Sequence, residues 1–120
     1  MVSLLLYNVV RDEDGEIRFL NNDFRLEVTG HSGFSIKGKD IVCAGISAIV
    51  ETAIFSISRV AKIRQKIVQD NGRLETKISS SELLEEKRRD FILILKMMLT
   101  GLEEIQKIHP EAIEINFINN

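Results

Sequence analysis

Polar and apolar residues change their period along this chain. Ser3 to Val10 is an apolar, β-forming run, and Glu16 to Leu20 is a shorter one. Between them Asp12-Glu13-Asp14-Gly15 is turn-forming, and Asp14-Gly15 is a hairpin signal. Asn21-Asn22-Asp23 makes a second turn. Phe24, Leu26 and Val28 then alternate with Arg25, Glu27 and Thr29, the period-two pattern of a half-buried strand. The first thirty residues therefore predict a three-stranded meander. Asp40 is placed to cap a long helix that is expected to run to about Gln69, where Asp70-Asn71-Gly72 stops it. Leu74, Thr76 and Ile78 share one face of a strand over Arg73 to Ser79. A second long helix follows, with Ser79 and Glu82 placed as a capping box. Its stripe of Phe91, Leu95, Met98, Leu102 and Ile105 recurs at helical spacing, and His109-Pro110 ends it. Ala112 to Ile118 alternates again through Ile113, Ile115 and Phe117, as a last strand.

The order βββ-α-β-α-β, with two apolar helix faces to cover, predicts an α+β fold. It is a two-layer sandwich with both helices on one face of a mixed, mostly antiparallel sheet. At 120 residues the chain is expected to be a single domain over 1–120, able to bury its own core. A formal net charge of −2 argues against nucleic-acid binding by bulk charge, so no direct nucleic-acid partner is expected. The opening MVSLLLYNVV lacks a basic n-region and a cleavage site, and it is too short to cross a bilayer. The longer apolar run Ile41–Ile57 is interrupted by Glu51 and reads as a buried helix rather than a membrane span. Cytoplasmic location without a membrane partner is the expectation. A lone cysteine, which cannot form an intramolecular disulfide, agrees with a reducing compartment.

The candidate chemistry lies in Gly30–Ser47, GHSGFSIKGKDIVCAGIS. Cys43 would be the third residue after an Asp40 cap. A helix N-terminus favours thiolate over thiol through its unpaired N–H groups and its positive partial charge. His31 stands twelve residues earlier, across a loop with Gly30, Gly33 and Gly38, and would complete a nucleophile–base pair if the loop folds back. Ser47 is one turn beyond Cys43 on the same helix face and could bond an imidazole, a substrate or nothing of importance. Asp40 could cap the helix, orient His31, or do both. The competing reading is that Cys43 is simply a small core residue. Gly33–Asp40 nearly matches a phosphate loop, but Asp40 replaces the hydroxyl residue that would hold magnesium. One cysteine and two distant histidines do not make a zinc site, so neither metal nor cofactor is expected. His109 reads as a helix terminator. Lys87-Arg88-Arg89 reads as a solvated face.

Gly30-His31, Gly38 and then Asp40-Ile41-Val42-Cys43-Ala44-Gly45-Ile46-Ser47 resemble the signature of the ribosomal-processing cysteine protease family (Prp). The resemblance implies a cysteine endopeptidase with a Cys–His dyad, Cys43 as nucleophile and His31 as general base. Asp40 and Ser47 match the family's other polar positions, and Gly30 matches the glycine beside its histidine, where the loop opens. Ser32 departs from the family's usual Ala. The implied substrate is the N-terminal extension of large-subunit ribosomal protein number twenty-seven, cut after bulky aromatic residues, and the implied assembly is a homodimer. Phe34 and Ile36 are candidates for the substrate pocket or lid by position. Two rival functions remain at this point. One is a non-catalytic, ribosome-associated binding module with Cys43 in its core. The other is a cysteine hydrolase or transferase acting on a small ester or thioester.

Overall fold

The computed structural model describes residues 1–20, 22–30 and 41–119. The main sheet has the order β5-β6-β4-β1-β7, formed by Lys66–Asp70, Arg73–Ile78, Phe24–Thr29, Val2–Tyr7 and Ile113–Ile118. β1 pairs antiparallel with β4 and parallel with β7, and the β4–β6 and β6–β5 pairs are antiparallel. Two helices, α1 (Ile41–Arg59) and α2 (Glu85–Ile108), pack against each other and on this sheet. The expected α+β sandwich on a mixed, mostly antiparallel sheet is therefore what forms.

Alternation builds the inner face. Val2, Leu4 and Leu6 of β1, Phe24, Leu26 and Val28 of β4, and Leu74, Thr76 and Ile78 of β6 are all buried. Against them α1 buries Ile46, Val50, Ala53, Ile54 and Ile57. α1 is long and apolar enough to span a bilayer by composition, yet this stripe lies in the core. α2 buries Phe91, Ile94, Leu95, Met98, Leu99 and Leu102, which contains most of the predicted stripe, while Ile105 is half-buried. Gly101 of α2 lets the helices approach: a Cβ there would lie 3.1 Å from the Ile49 Cδ1 of α1.

The structure departs from the sequence expectation in three places. The opening meander is split. Asn8 takes a left-handed backbone (φ 69°) and turns the chain out of β1, so β2 (Val9–Arg11) and β3 (Ile17–Phe19) form a separate hairpin. That hairpin folds over α2 through a stacked Phe19–Phe91 pair at 5.3 Å and through the Arg11–Glu103 and Lys96–Glu16 ion pairs. Second, α1 ends at Arg59, ten residues short of the expected end, and 66–70 is strand. The chain turns inward there to bury Ala61 and Ile63, with Lys62 at φ 58°. Gln65 then ties the turn down by donating to the Ile54 carbonyl and accepting from Thr76, both at 2.7 Å. Asn71-Gly72 is accordingly a β-hairpin turn, with Asp70 facing Arg73, and not a helix stop. Third, the capping box does not form. Ser80–Glu82 is a short 3₁₀ turn, Ser79 makes no side-chain cap bond, and α2 starts only at Glu85. The Glu82 carboxylate is engaged by the Arg64 backbone N–H and by the Arg64 and Lys87 side chains.

The outer sheet face carries charge instead. Glu27 accepts from Arg73 at 2.8 Å, and Glu75 meets Arg25 and Arg73 at 3.3 and 3.1 Å. The hydrogen bond to Glu27 is the first reason that the Arg73 guanidinium is held above its ordinary value.

Phe91 is fully buried and meets Phe19 and, edge-on at 4.9 Å, Phe24. Phe91→Ala is expected to cost about 3–5 kcal/mol of stability, measured by chemical denaturation, because the hairpin and β4 lose a shared partner.

Candidate active site

The chain enters the candidate site at the end of β4. Gly30 has φ 85°, a region that favours glycine. Its N–H donates to the Gly72 carbonyl at 3.0 Å, and a Cβ on it would run into the Met1 carbonyl oxygen. Gly30 is thus wedged between the start of β1 and the β5–β6 turn. The glycine expected as a hinge has a packing reason of its own.

The chain returns at Ile41. Cys43 is the third residue of α1, half-buried, and packs beside the core. The first backbone N–H groups of a helix have no carbonyl partner within it. No acidic residue lies in the first turn of α1. The α1 residues themselves thus put no negative charge at the positive end of the helix.

The position of this turn is set by the residues just after it. Ile46 is fully buried, and with Val50 it lines one small gap together with Val28 of β4 and Leu74 of β6. Val28 is two residues before Gly30, and Ile46 is three after Cys43. The Cys43 turn and Gly30 are consequently brought to the same end of the sheet. Ser47 lies one turn below Cys43, and its hydroxyl donates to Glu51 Oε2 at 2.6 Å. His31, Asp40, Phe34 and Ile36 lie outside the described residues, as does the whole of the phosphate-loop look-alike.

Glu51 is the residue that the sequence reading passed over. In the sequence it shows only as an interruption of an apolar run. The signal was its spacing, four residues from Ser47 and eight from Cys43, which puts all three on one helix face. The other singled-out residues take structural places. His109 caps the end of α2, with its N–H donating to the Ile105 carbonyl at 2.8 Å. Lys87, Arg88 and Arg89 are exposed, and Arg88 lies over the Phe19 ring. Among the described residues no group of three or more His, Cys, Asp or Glu is arranged to hold a metal ion.

The chain is similar to known proteins in sequence and in fold. Residues 7–114 match the family model described as cysteine protease Prp. The chain is 30% identical over 91 residues to the ribosomal processing cysteine protease Prp of Bacillus subtilis, covering 74% of this chain and 80% of that protein. It is 31% identical over 88 residues to the Staphylococcus aureus protein of the same name, covering 73% and 80%. Among solved structures, the S. aureus ribosomal processing protease Prp with a covalently linked product peptide superposes with a TM-score of 0.68 at 25% identity, covering 98% of this chain and 99% of that one. A Streptococcus mutans protein, SMU.848, shares the fold at a TM-score of 0.66 and 20% identity, covering 100% and 96%.

Gly30→Ala combines a disfavoured backbone region with a collision against Met1. It is expected to lower stability by more than about 2 kcal/mol in urea denaturation, beyond the usual cost of a left-handed residue.

Proposed function

Since the chain belongs to the Prp family of cysteine proteases and is a peptidase, we propose that it removes the N-terminal extension of large-subunit ribosomal protein number twenty-seven with Cys43 as nucleophile and His31 as general base. The observation that carries this reading is Cys43 in the first turn of α1, at the same end of the sheet as Gly30. The relatives named as ribosomal processing proteases support the substrate class.

The chemistry follows from those roles. His31 takes the Cys43 proton, and the helix N-terminus stabilises the thiolate. Sulfur attacks the scissile carbonyl carbon. The S–C bond forms while the carbonyl electron pair moves to oxygen, where backbone N–H groups of the first helical turn are the natural donors. Collapse breaks the C–N bond, and the His31 imidazolium protonates the departing amine. His31 then draws a proton from water, which attacks the thioester, releases the new carboxyl terminus and restores the thiol. In this proposal Asp40 serves by capping the helix, by orienting His31, or by both, and Phe34 and Ile36 serve as substrate pocket or lid. The chain acts as one cytoplasmic protease domain and requires no cofactor.

Assembly as a homodimer is part of the same proposal. An apolar groove of about 300 Å³ runs between α1 and α2, lined by Ala48, Ile49, Thr52, Ile94, Met97 and Met98. Met97 is 73% exposed and Leu93 and Phe55 about half, a concentration of apolar surface that favours a partner. Met97→Glu is expected to shift the protein from dimer to monomer in sedimentation velocity. An unchanged sedimentation coefficient, dimeric in both proteins, would move the interface elsewhere.

The activity is tested with a peptide spanning the extension, read by mass spectrometry. Wild type should cut one bond, and Cys43→Ala and His31→Ala should each lower the rate by at least about a thousandfold, as expected for loss of a nucleophile or its base. The binding-module reading would instead give no cleavage and a Cys43 that resists iodoacetamide at neutral pH. Turnover of small thioesters in preference to the peptide would favour the small-substrate hydrolase.

A further inference from the structure

The chain holds one Asn-Gly pair, Asn71-Gly72, and the protease chemistry makes no use of it. The pair is the two-residue tip of the β5–β6 hairpin, closed by Asp70 opposite Arg73. Asn71 is exposed, and β5, which leads into it, is an edge strand with four of its five residues exposed. Such a tip opens locally at little cost. Among the described residues, neither the Asn71 side chain nor the Gly72 N–H has a hydrogen-bond partner. Gly72 has φ 69° and no Cβ, so no side chain of its own shields its nitrogen from the carboxamide before it.

The Gly72 carbonyl, by contrast, is engaged. It accepts from the Gly30 N–H at 3.0 Å. This bond extends the β4–β6 ladder one step past the Thr29–Arg73 pair and holds the residue at which the chain leaves β4. The hairpin tip and the end of β4 are therefore tied through a single carbonyl.

We propose that Asn71 is a site of spontaneous modification, an intramolecular deamidation whose isoaspartyl product releases Gly30 from the hairpin. The Gly72 nitrogen attacks Asn71 Cγ. The new N–C bond forms, the bond to the side-chain amide nitrogen breaks, and ammonia leaves with the proton given up by the Gly72 nitrogen. Water then opens the cyclic imide. Opening at Cγ gives aspartate. Opening at the α-carbonyl gives isoaspartate, with the main chain running through Cβ and Cγ. The turn is then longer by one backbone atom. Turn length fixes hairpin register, so the Asp70–Arg73 pair and the Gly72 carbonyl cannot both keep their places. The reaction consumes only water, so its extent records the age of the molecule. Its effect on activity rests on the protease reading above: the aged enzyme loses the anchor of the residue just before His31.

The full folded chain is aged for days at neutral pH, and position 71 is read by peptide mapping with methyl labelling by an isoaspartyl methyltransferase. Amide exchange followed by NMR reports Gly30. Isoaspartate is expected to accumulate at position 71. In the aged fraction the Gly30 amide should exchange about fivefold faster, the equivalent of a hydrogen bond worth about 1 kcal/mol. Asn71→Ser, which has no carboxamide, should stay unmodified and keep slow exchange. Freshly purified Asn71→Asp, which has the new charge without the extra backbone atom, should keep it too. Peptide cleavage should fall about fivefold in aged, fully converted wild type and hold in equally aged Asn71→Ser. No isoaspartate in the folded chain, while a free peptide of residues 66–76 deamidates, would overturn the site. Isoaspartate with unchanged exchange at Gly30 would overturn the coupling. Fresh protein that cuts no peptide defeats the protease reading instead, and the exchange data still decide this one.

Discussion

The contact of Ile46 and Val50 with Val28 and Leu74 is what the site depends on. It is a patch of apolar burial that contains no reacting group. Yet it decides where the first turn of α1 stands above the sheet, and with it where Cys43 stands relative to the end of β4. Hydrophobic contact is not directional in itself, but a close-packed interior admits few alternative placements of a helix. The alternation of β4 and β6 fixes which side chains face inward, the period of α1 fixes which answer them, and the thiol is carried along.

The rest of the fold keeps that patch in place. α2 lies beside α1, close enough at Gly101 that Ile49 would meet a Cβ. The Phe19–Phe91–Phe24 cluster joins the small hairpin, α2 and β4 in one contact set. On the far face the Arg25, Glu27, Arg73 and Glu75 side chains cover β4 and β6 with paired charge. Glu75 is 5% exposed there, and both arginines pair with its carboxylate, which offsets the cost of burying it.

Much of this was legible in the sequence because it rests on period. The inner residues of β4, β6 and β7 and the stripe of α2 follow from alternation and helical spacing alone. What was not legible turns on competition between local signals and tertiary burial. The helical pattern through Ile57 and Ala61 continues smoothly, and nothing local reveals that Ala61 and Ile63 are drawn inward or that Gln65 finds Thr76. Asn71-Gly72 was visible as a turn, but its meaning depended on whether strand or helix came before it. Asn8 was hidden because a left-handed asparagine inside a β-forming run costs little and leaves no mark. At the site, the spacing of Cys43 and Ser47 was readable, whereas the packing duty of Gly30 required knowing that Met1 passes beside it. Glu51 carried a legible spacing but no legible partner, since the hydroxyl of Ser47 could equally have bonded elsewhere.

The parallel pairing of β1 with β7 joins residues 2–7 to residues 113–118. β1 is an interior strand of the sheet, and one of its two hydrogen-bonding edges is met only by a segment more than a hundred residues away. On a ribosome, that edge stays open until residues 113–118 have been synthesised. Such distant pairing is slow to form and exposes apolar surface while it waits. The strand beside Gly30 and Met1 therefore has both its edges paired only once a segment more than a hundred residues further along has docked on it.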